Sequence, residues 1–140
     1  MSYDTNRAIE AEASVIGAML IDEDVVGPAL AELDPKDFLH EPYRRVFLAF
    51  RNLFVVGTPP DLVTVLNELK GDKGCNERET SKLLRDCMEI TPTATNWLEY
   101  AKVMRETARE AMVDNLATEL LTCPTLAGKE KILAKMNDAM

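Results

Sequence analysis

Paired carboxylates are the first residues in this sequence that could do acid–base chemistry or hold a metal ion. Glu10 and Glu12 flank one alanine within a helical pattern. At that spacing the two side chains point about 200° apart, so they cannot share a proton or a metal. Asp22, Glu23 and Asp24 form an acidic run that we interpret as solvated residues at a helix start. These acids therefore predict neither a catalytic nor a metal site.

The histidine and the cysteines are too scattered to form a reactive cluster. His40 is the only histidine, and no nucleophile lies close to it in sequence, so we interpret it as a surface or capping residue. Cys75, Cys87 and Cys123 have wide, irregular spacing that fits neither a disulfide framework nor a zinc site. We expect reduced, mostly buried thiols.

The sequence also lacks the glycine-rich motifs that usually bind phosphate groups. The sequence contains neither a GxxxxGK[ST] loop nor a GxGxxG turn, and the run Gly71-Asp72-Lys73-Gly74 is too short for either. Arg44 and Arg45 could contact a phosphate or a partner's carboxylate, but their place on the polar face of a predicted helix favours a solvated surface. We therefore predict a chain that is not an enzyme and binds no cofactor within these residues.

Charge and hydropathy limit the partners of the chain. Acidic residues outnumber basic ones 24 to 16, a balance that disfavours strong binding to nucleic acid. The excess lies in residues 1–96, with 17 acidic and 10 basic side chains, whereas residues 97–140 hold 7 and 6. No apolar run approaches the roughly 20 residues of a membrane span, and the start of the chain does not resemble a signal peptide. We expect a cytoplasmic protein without membrane contact and with protein partners.

The elements that position these residues are predicted to be helices throughout. Apolar residues recur at helical spacing, and no stretch alternates with period two for long enough to form a half-buried strand. The predicted fold is all-α, with a compact multi-helix bundle over residues 1–96 and a long helical hairpin over residues 97–140. The first helix is predicted over residues 8–21, capped by Thr5 or Asn6, and the second begins or bends at Pro28. The third runs from Pro42 to Gly57. Two further helices are capped by Asp61 and Asn76.

The hairpin carries the longest helical pattern of the chain. Its repeating positions alternate at spacings of four and three residues from Trp97 onward, and Pro124 and Gly128 predict a turn before a returning helix. Such a hairpin has too little apolar surface to be stable as an isolated unit, yet too much for all of it to remain exposed to solvent. We expect it to pair with a second copy or another protein, although packing wholly onto its own domain is the alternative.

The predicted self-association residues are Trp97, Ala101, Met104, Ala108, Met112, Ile132 and Met136. Asp at Met104 and Ala108 is expected to split a dimer and leave the bundle folded.

Four blocks of the sequence occur in the order and approximate spacing of a known family pattern. Residues 9–22 read IEAEASVIGAMLID, residues 37–57 run from Asp37-Phe38 to Gly57, residues 60–65 read PDLVTV, and residues 91–106 contain TPTATN and YAKVMRE. Together they cover about residues 7–110 and resemble the amino-terminal domain of DnaB-type replicative DNA helicases. The departures are Tyr43 where the family often has His, Gly27-Pro28 inside the second helix, and a missing Gly-Gly loop. A divergent, phage-borne member would look like this.

The resemblance implies a collar domain. In the family this domain forms the collar of a hexameric ring, in which hairpins pair into dimers and three dimers close the ring. The collar binds primase and helicase loaders, while a separate carboxy-terminal motor uses ATP and Mg²⁺ to translocate 5′–3′ on single-stranded DNA. The resemblance therefore implies a homo-oligomer, formed through the hairpin, that binds a primase or a loader. Single-stranded DNA would be contacted only weakly, or through a motor that is absent from these residues.

Two other functions stay open. The chain could be a free-standing phage or cellular module that captures a helicase, a primase or a loader. A helical transcription regulator is disfavoured, because the most basic candidate recognition helix, Arg44 to Arg51, commits its apolar stripe to the core.

Overall fold

Seven α-helices and one short 3-10 turn make up the described part of the chain. A computed structural model describes residues 5–72, 74 and 76–140, and it contains no β-strand within these ranges. The helices are α1 (Thr5–Ile21), α2 (Glu23–Glu32), α3 (Glu41–Val55), α4 (Leu62–Leu69), α5 (Glu77–Glu89), α6 (Trp97–Thr122) and α7 (Leu126–Ala139), and the 3-10 turn is Pro35–Asp37. The predicted all-α fold of a bundle followed by a hairpin is confirmed. No helix in the described part is long and apolar enough to cross a membrane.

The centre of the bundle is α1, which contacts α2, α3, α5 and α6. Nine of its 17 residues are buried, which is typical of a core helix rather than a surface helix. Five of these nine are alanine or glycine, so neighbouring helices can approach its backbone closely. The small residues of α1 therefore determine how tightly α5 and α6 pack on it.

Gly17 marks the closest approach between α1 and the end of α5. A Cβ atom added at Gly17 would lie 2.3 Å from the carbonyl oxygen of Cys87 and 2.4 Å from the hydroxyl oxygen of Thr91. That hydroxyl is itself fixed in place, because it donates a 2.8 Å hydrogen bond to the Cys87 carbonyl. Any side chain larger than hydrogen would push α5 away from α1.

The core is filled mainly by α3 and by the aromatic residue that precedes it. Phe38, Phe47 and Phe50 are fully buried, and the rings of Phe38 and Phe47 have centroids 4.8 Å apart. Gly57 follows α3 with a φ of 81°, the positive value predicted for its end. The strong apolar stripe of α3 is confirmed, except that Phe54 is half-exposed at its end.

Several predicted boundaries change. Thr5 and Asn6 lie inside α1 and do not cap it. Pro28 does not begin the second helix, because it lies within α2, whose cap is Asp22; of the two predicted alternatives, only a bend at Pro28 stays open. Pro42 was predicted to be the first residue of its helix, but α3 begins at Glu41 and Pro42 is its second residue. The caps at Asp61 and Asn76 are confirmed, because the Asp61 side chain accepts from the Thr64 amide and Asn76 from the amides of Arg78 and Glu79.

The hairpin of α6 and α7 is attached to the bundle through α6. Ala101, Met104, Ala108, Ala111 and Leu116 are its buried residues, and α6 packs more extensively on α1 than on any other element. The hydrophobic core includes Ala101 and Met104, so it crosses the predicted boundary between residues 1–96 and 97–140. In contrast, α7 packs on α6, and none of its 14 residues, all described, is buried.

Replacing Gly17 with alanine tests the close approach of α1 and α5. We expect Gly17→Ala to lower the free energy of unfolding by about 1–3 kcal/mol, the usual cost of overpacking a core. The matched control is Gly71→Ala, because a Cβ atom there meets nothing within 4 Å. Urea denaturation followed by circular dichroism measures both variants. Equal stability of the two variants would contradict the close approach.

Candidate functional site

Apolar side chains remain exposed along the hairpin. Leu121 and Leu126, which flank the turn between α6 and α7, are 85% and 74% exposed. We call the exposed apolar residues of the hairpin the hairpin surface; they are Leu98, Met112, Leu121, Leu126, Leu133 and Met140. Leu121 and Leu126 flank the same turn, and neighbouring exposed apolar residues of this kind are typical of a surface that contacts another protein.

Three of the predicted self-association residues are not on this surface. Ala101, Met104 and Ala108 are buried within the chain itself, on the face of α6 that packs on α1. Their side chains cannot contact another molecule while α6 stays in place, so their assignment to an accessible surface is corrected. The four-and-three spacing identified the buried face of the helix, but spacing does not say which molecule buries it.

The other four predicted residues have different environments. Trp97 is partly buried against the bundle core. Met112 is exposed, and Ile132 and Met136 of α7 are partly exposed. All four can contribute contact area to a partner, because Trp97 has the same intermediate exposure as Ile132 and Met136. Self-association through the hairpin stays a prediction.

A second group of exposed apolar residues lies at one end of the bundle. Phe54, Val55 and Val56 at the end of α3 and Val63 in α4 are 51–78% exposed. We call these four residues the bundle-end patch. Apolar character alone did not identify these residues as exposed, because the helices that carry them also contribute to the core.

Glu12 is the most unusual titratable group among the described residues. Its side chain is fully buried, and its two oxygens accept separate hydrogen bonds from the amides of Leu39, at 3.0 Å, and His40, at 3.2 Å. Burial raises the pKa of Glu12 to about 7, although the two amides and the positive charge of Arg44 act in the opposite direction. Sequence reasoning missed this site, because its partners lie 27 and 28 residues further along the chain.

Tyr43 and Cys87 form a neutral pair beside this carboxyl. The Tyr43 hydroxyl and the Cys87 thiol interact electrostatically, and burial raises the pKa of both groups, that of Cys87 to about 12. The thiol is therefore protonated and unreactive at neutral pH. Cys87 fits the prediction of a buried free thiol, Cys123 is only partly buried, and Cys75 lies outside the described residues.

The two arginines of α3 are bound to the protein and not simply solvated. Arg44 donates a 2.8 Å hydrogen bond to the carbonyl of Phe38. Arg45 donates to the Glu41 carboxylate at 2.8 Å and to the Gly74 carbonyl at 2.7 Å. The expectation of solvated side chains is therefore wrong, and these guanidinium groups hold loops against α3.

His40 lies at the capping position of α3, but its side chain makes no capping hydrogen bond. Its ring lies against that of Tyr43 instead, with centroids 4.7 Å apart. The described residues contain no group of three or more His, Cys, Asp or Glu that could hold a metal ion.

This arrangement defines an all-helical bundle that carries a partly exposed hairpin. Residues 4–106 match the family described as the DnaB-like helicase N terminal domain. The chain belongs to this family.

Relatives and a solved structure agree with that assignment. The chain is 34% identical over 100 residues to the replicative DNA helicase DnaB of Geobacillus stearothermophilus, and 35% identical over 98 residues to the replicative DNA helicase DnaC of Bacillus subtilis (strain 168). These matches cover 71% and 70% of this chain but only 22% of each relative. The crystal structure of the N-terminal domain of DnaB helicase from Mycobacterium tuberculosis superposes with a TM-score of 0.82 at 28% identity, covering 92% of this chain and 95% of that one.

Alkylation of the thiols tests the buried pair. At pH 8 we expect iodoacetamide to modify Cys123 and to leave Cys87 unmodified, because Cys87 is 1% exposed and its pKa is raised to about 12. Mass spectrometry of tryptic peptides measures both sites, and labelling in guanidinium chloride is the control that exposes Cys87. Rapid labelling of Cys87 in the folded chain would contradict the geometry.

Proposed function

We propose that this chain acts in DNA replication as the amino-terminal collar domain of a cytoplasmic replicative DNA helicase. In this proposal it self-associates through its hairpin and binds a primase or a helicase loader. The observation that carries the proposal is α7, a helix of 14 residues with none buried, in a domain of this family.

The packing of α7 supports contact with a second molecule. Isolated helices of about 12–15 residues are marginal in water, so such a helix gains most of its stability from packing. Yet the main packing partner of α7 among the described elements is α6, and its Leu126 and Leu133 remain 74% and 48% exposed. A partner that covers these residues would complete the packing of the helix.

Charge favours a second copy of the hairpin as that partner. The hairpin region, residues 97–140, has 6 basic and 7 acidic side chains, so two hairpins can approach without strong repulsion. The bundle region, residues 1–96, has 10 and 17, and two bundles facing each other would repel. Pairing through hairpins keeps the acidic bundles free for other proteins.

The bundle-end patch supports docking of a different protein. Its four apolar side chains lie at the end of α3 and in α4, outside the hairpin. We assign primase or loader binding to this part of the molecule. The acidic excess of the bundle agrees with protein partners and with weak contact, at most, to single-stranded DNA.

The helicase activity itself belongs to the parent protein in this proposal. The matched region spans about a fifth of the length of the Geobacillus stearothermophilus and Bacillus subtilis relatives. ATP and Mg²⁺ would be bound by a motor in the remainder of a longer protein. A free-standing module that captures a helicase, primase or loader would use the same two surfaces, and the size of the native product in its source cells separates the two cases.

Exposed leucines of α7 provide the test of self-association. We expect Leu126→Asp combined with Leu133→Asp to convert a dimer into a monomer of 15.6 kDa, because both substitutions place charge on the hairpin surface without removing core contacts. Light scattering coupled to size-exclusion chromatography measures the mass, and circular dichroism confirms that the helices are retained.

The control is Val63→Asp, which places a negative charge on the bundle-end patch instead of the hairpin surface and should leave the dimer intact. A wild-type chain that stays monomeric at every concentration, or a double variant that stays dimeric, would contradict the proposal. Asp at Met104 or Ala108 is unsuitable for this test, because both residues are buried and the bundle itself would lose stability.

A further inference from the structure

The bundle-end patch leaves four apolar side chains in water. Val55, Val56 and Val63 are 73–78% exposed, and Phe54 is 51% exposed. The surface beside them is open, because Gly57 has no side chain and a Cβ atom added there would meet nothing within 4 Å. Another molecule can therefore approach the backbone at the end of α3 closely, and covering the patch would remove apolar surface from water.

Carboxylates border the patch on the side of α2. A Cβ atom added at Gly27 would lie 3.5 Å from the Cζ atom of Phe54, so the Phe54 ring lies over α2 at this point. Glu23 and Asp24 precede Gly27 by four and three residues, which places them on the same side of the helix, one turn away. Both are exposed. Two negative charges thus stand next to the aromatic ring of the patch.

A third carboxylate borders the patch on the side of α4. Asp61 caps α4 two residues before Val63, and its side chain accepts a 2.8 Å hydrogen bond from the Thr64 amide. Arg51, three residues before Phe54 on α3, brings one positive charge to the same border. The border therefore carries three negative charges against one positive charge.

No ion pair neutralises these carboxylates. Within the described ranges, neither Glu23, Asp24 nor Asp61 pairs with a lysine or an arginine. The surrounding bundle region, residues 1–96, adds to the negative field with its 17 acidic and 10 basic side chains. A partner that brings apolar side chains to the patch and positive charges to its border would match both features.

The backbone around the patch limits how such a partner can bind. The described part of the chain contains no β-strand, so a partner cannot add a strand to a sheet edge there. The starts of α2 and α4 are already capped by the side chains of Asp22 and Asp61. Binding then depends on side chains, and an amphipathic helix presents apolar and charged side chains on adjoining faces.

We propose that the bundle-end patch binds an amphipathic helix of a partner protein, in which lysine and arginine side chains flank the apolar face. The apolar face covers the patch, and the basic side chains pair with the carboxylates of Glu23, Asp24 and Asp61. This inference rests on the docking role that the proposed function gives to the patch, and it adds the chemistry of the partner.

A synthetic helical peptide of about 14 residues, four turns long, tests the inference. The peptide carries leucines on one face and lysines on the other, and NMR titration of the isotope-labelled chain locates its contacts. We expect the amides of residues 54–57 and 63 and those at the start of α2 to shift. A second peptide, with glutamate in place of every lysine, keeps the apolar face and should bind at least about tenfold more weakly. Added sodium chloride should weaken binding of the lysine peptide.

Charge variants of the chain test the border of the patch. Glu23→Gln combined with Asp24→Asn should weaken binding of the lysine peptide about threefold to tenfold, as expected for the loss of two exposed ion pairs. The matched control is Glu77→Gln combined with Glu79→Gln, which removes the same charge from the start of α5 and should bind like the wild type.

A neutral double variant tests the apolar part of the patch. Val55→Ser combined with Val63→Ser changes no charge and removes no core contact, and it should weaken the lysine peptide about tenfold. Equal affinity for the two peptides, amide shifts that lie outside the patch, or unchanged binding by the serine variant would each overturn the inference.

The peptide titration and the mass measurement of the hairpin variants have separate outcomes. A chain that dimerises through its hairpin and binds no lysine peptide contradicts this inference alone. A chain that binds the peptide at the patch and stays monomeric supports this inference and contradicts self-association.

Discussion

The close packing of α1 against α5 and α6 is the constraint on which the rest of the structure depends. Gly17 has no side chain because the Cys87 carbonyl and the Thr91 hydroxyl occupy the space that a Cβ would need. On another part of α1, buried alanines admit α6, which carries the hairpin away from the bundle. The same helix holds Glu12 under the segment before α3. One tightly buried helix thus positions the core, the segment before α3 and the base of the hairpin.

Local patterns in the sequence predicted the helices well, since periodicity and capping depend on neighbouring residues. Asp61, Asn76 and Gly57 act as predicted. Pro28 was harder to place, because a proline can be tolerated inside a helix when packing compensates for one lost hydrogen bond. The family resemblance, carried by four short blocks, was confirmed by the match over residues 4–106.

The candidate site was predicted less well, because it depends on contacts between distant residues. The stripe containing Met104 was recognised as apolar, but only the fold shows that α1 covers it. Glu12 was compared with Glu10 alone, whereas its partners Leu39 and His40 come from another segment. Leu126 and Leu133 on α7 lie outside the stripe of α6, and their exposure was visible only once the hairpin was placed on the bundle.

In our proposal the domain consists of a core that is complete in one chain and a hairpin that is completed by a second molecule. Hydrogen exchange of the α7 amides, measured over a range of protein concentrations, tests this division most directly. We expect α7 to exchange rapidly in dilute protein and to gain protection as concentration rises, while α1 stays protected throughout. If α7 is as protected as α1 in dilute protein and does not respond to concentration, the hairpin is complete in one chain and the proposal is contradicted.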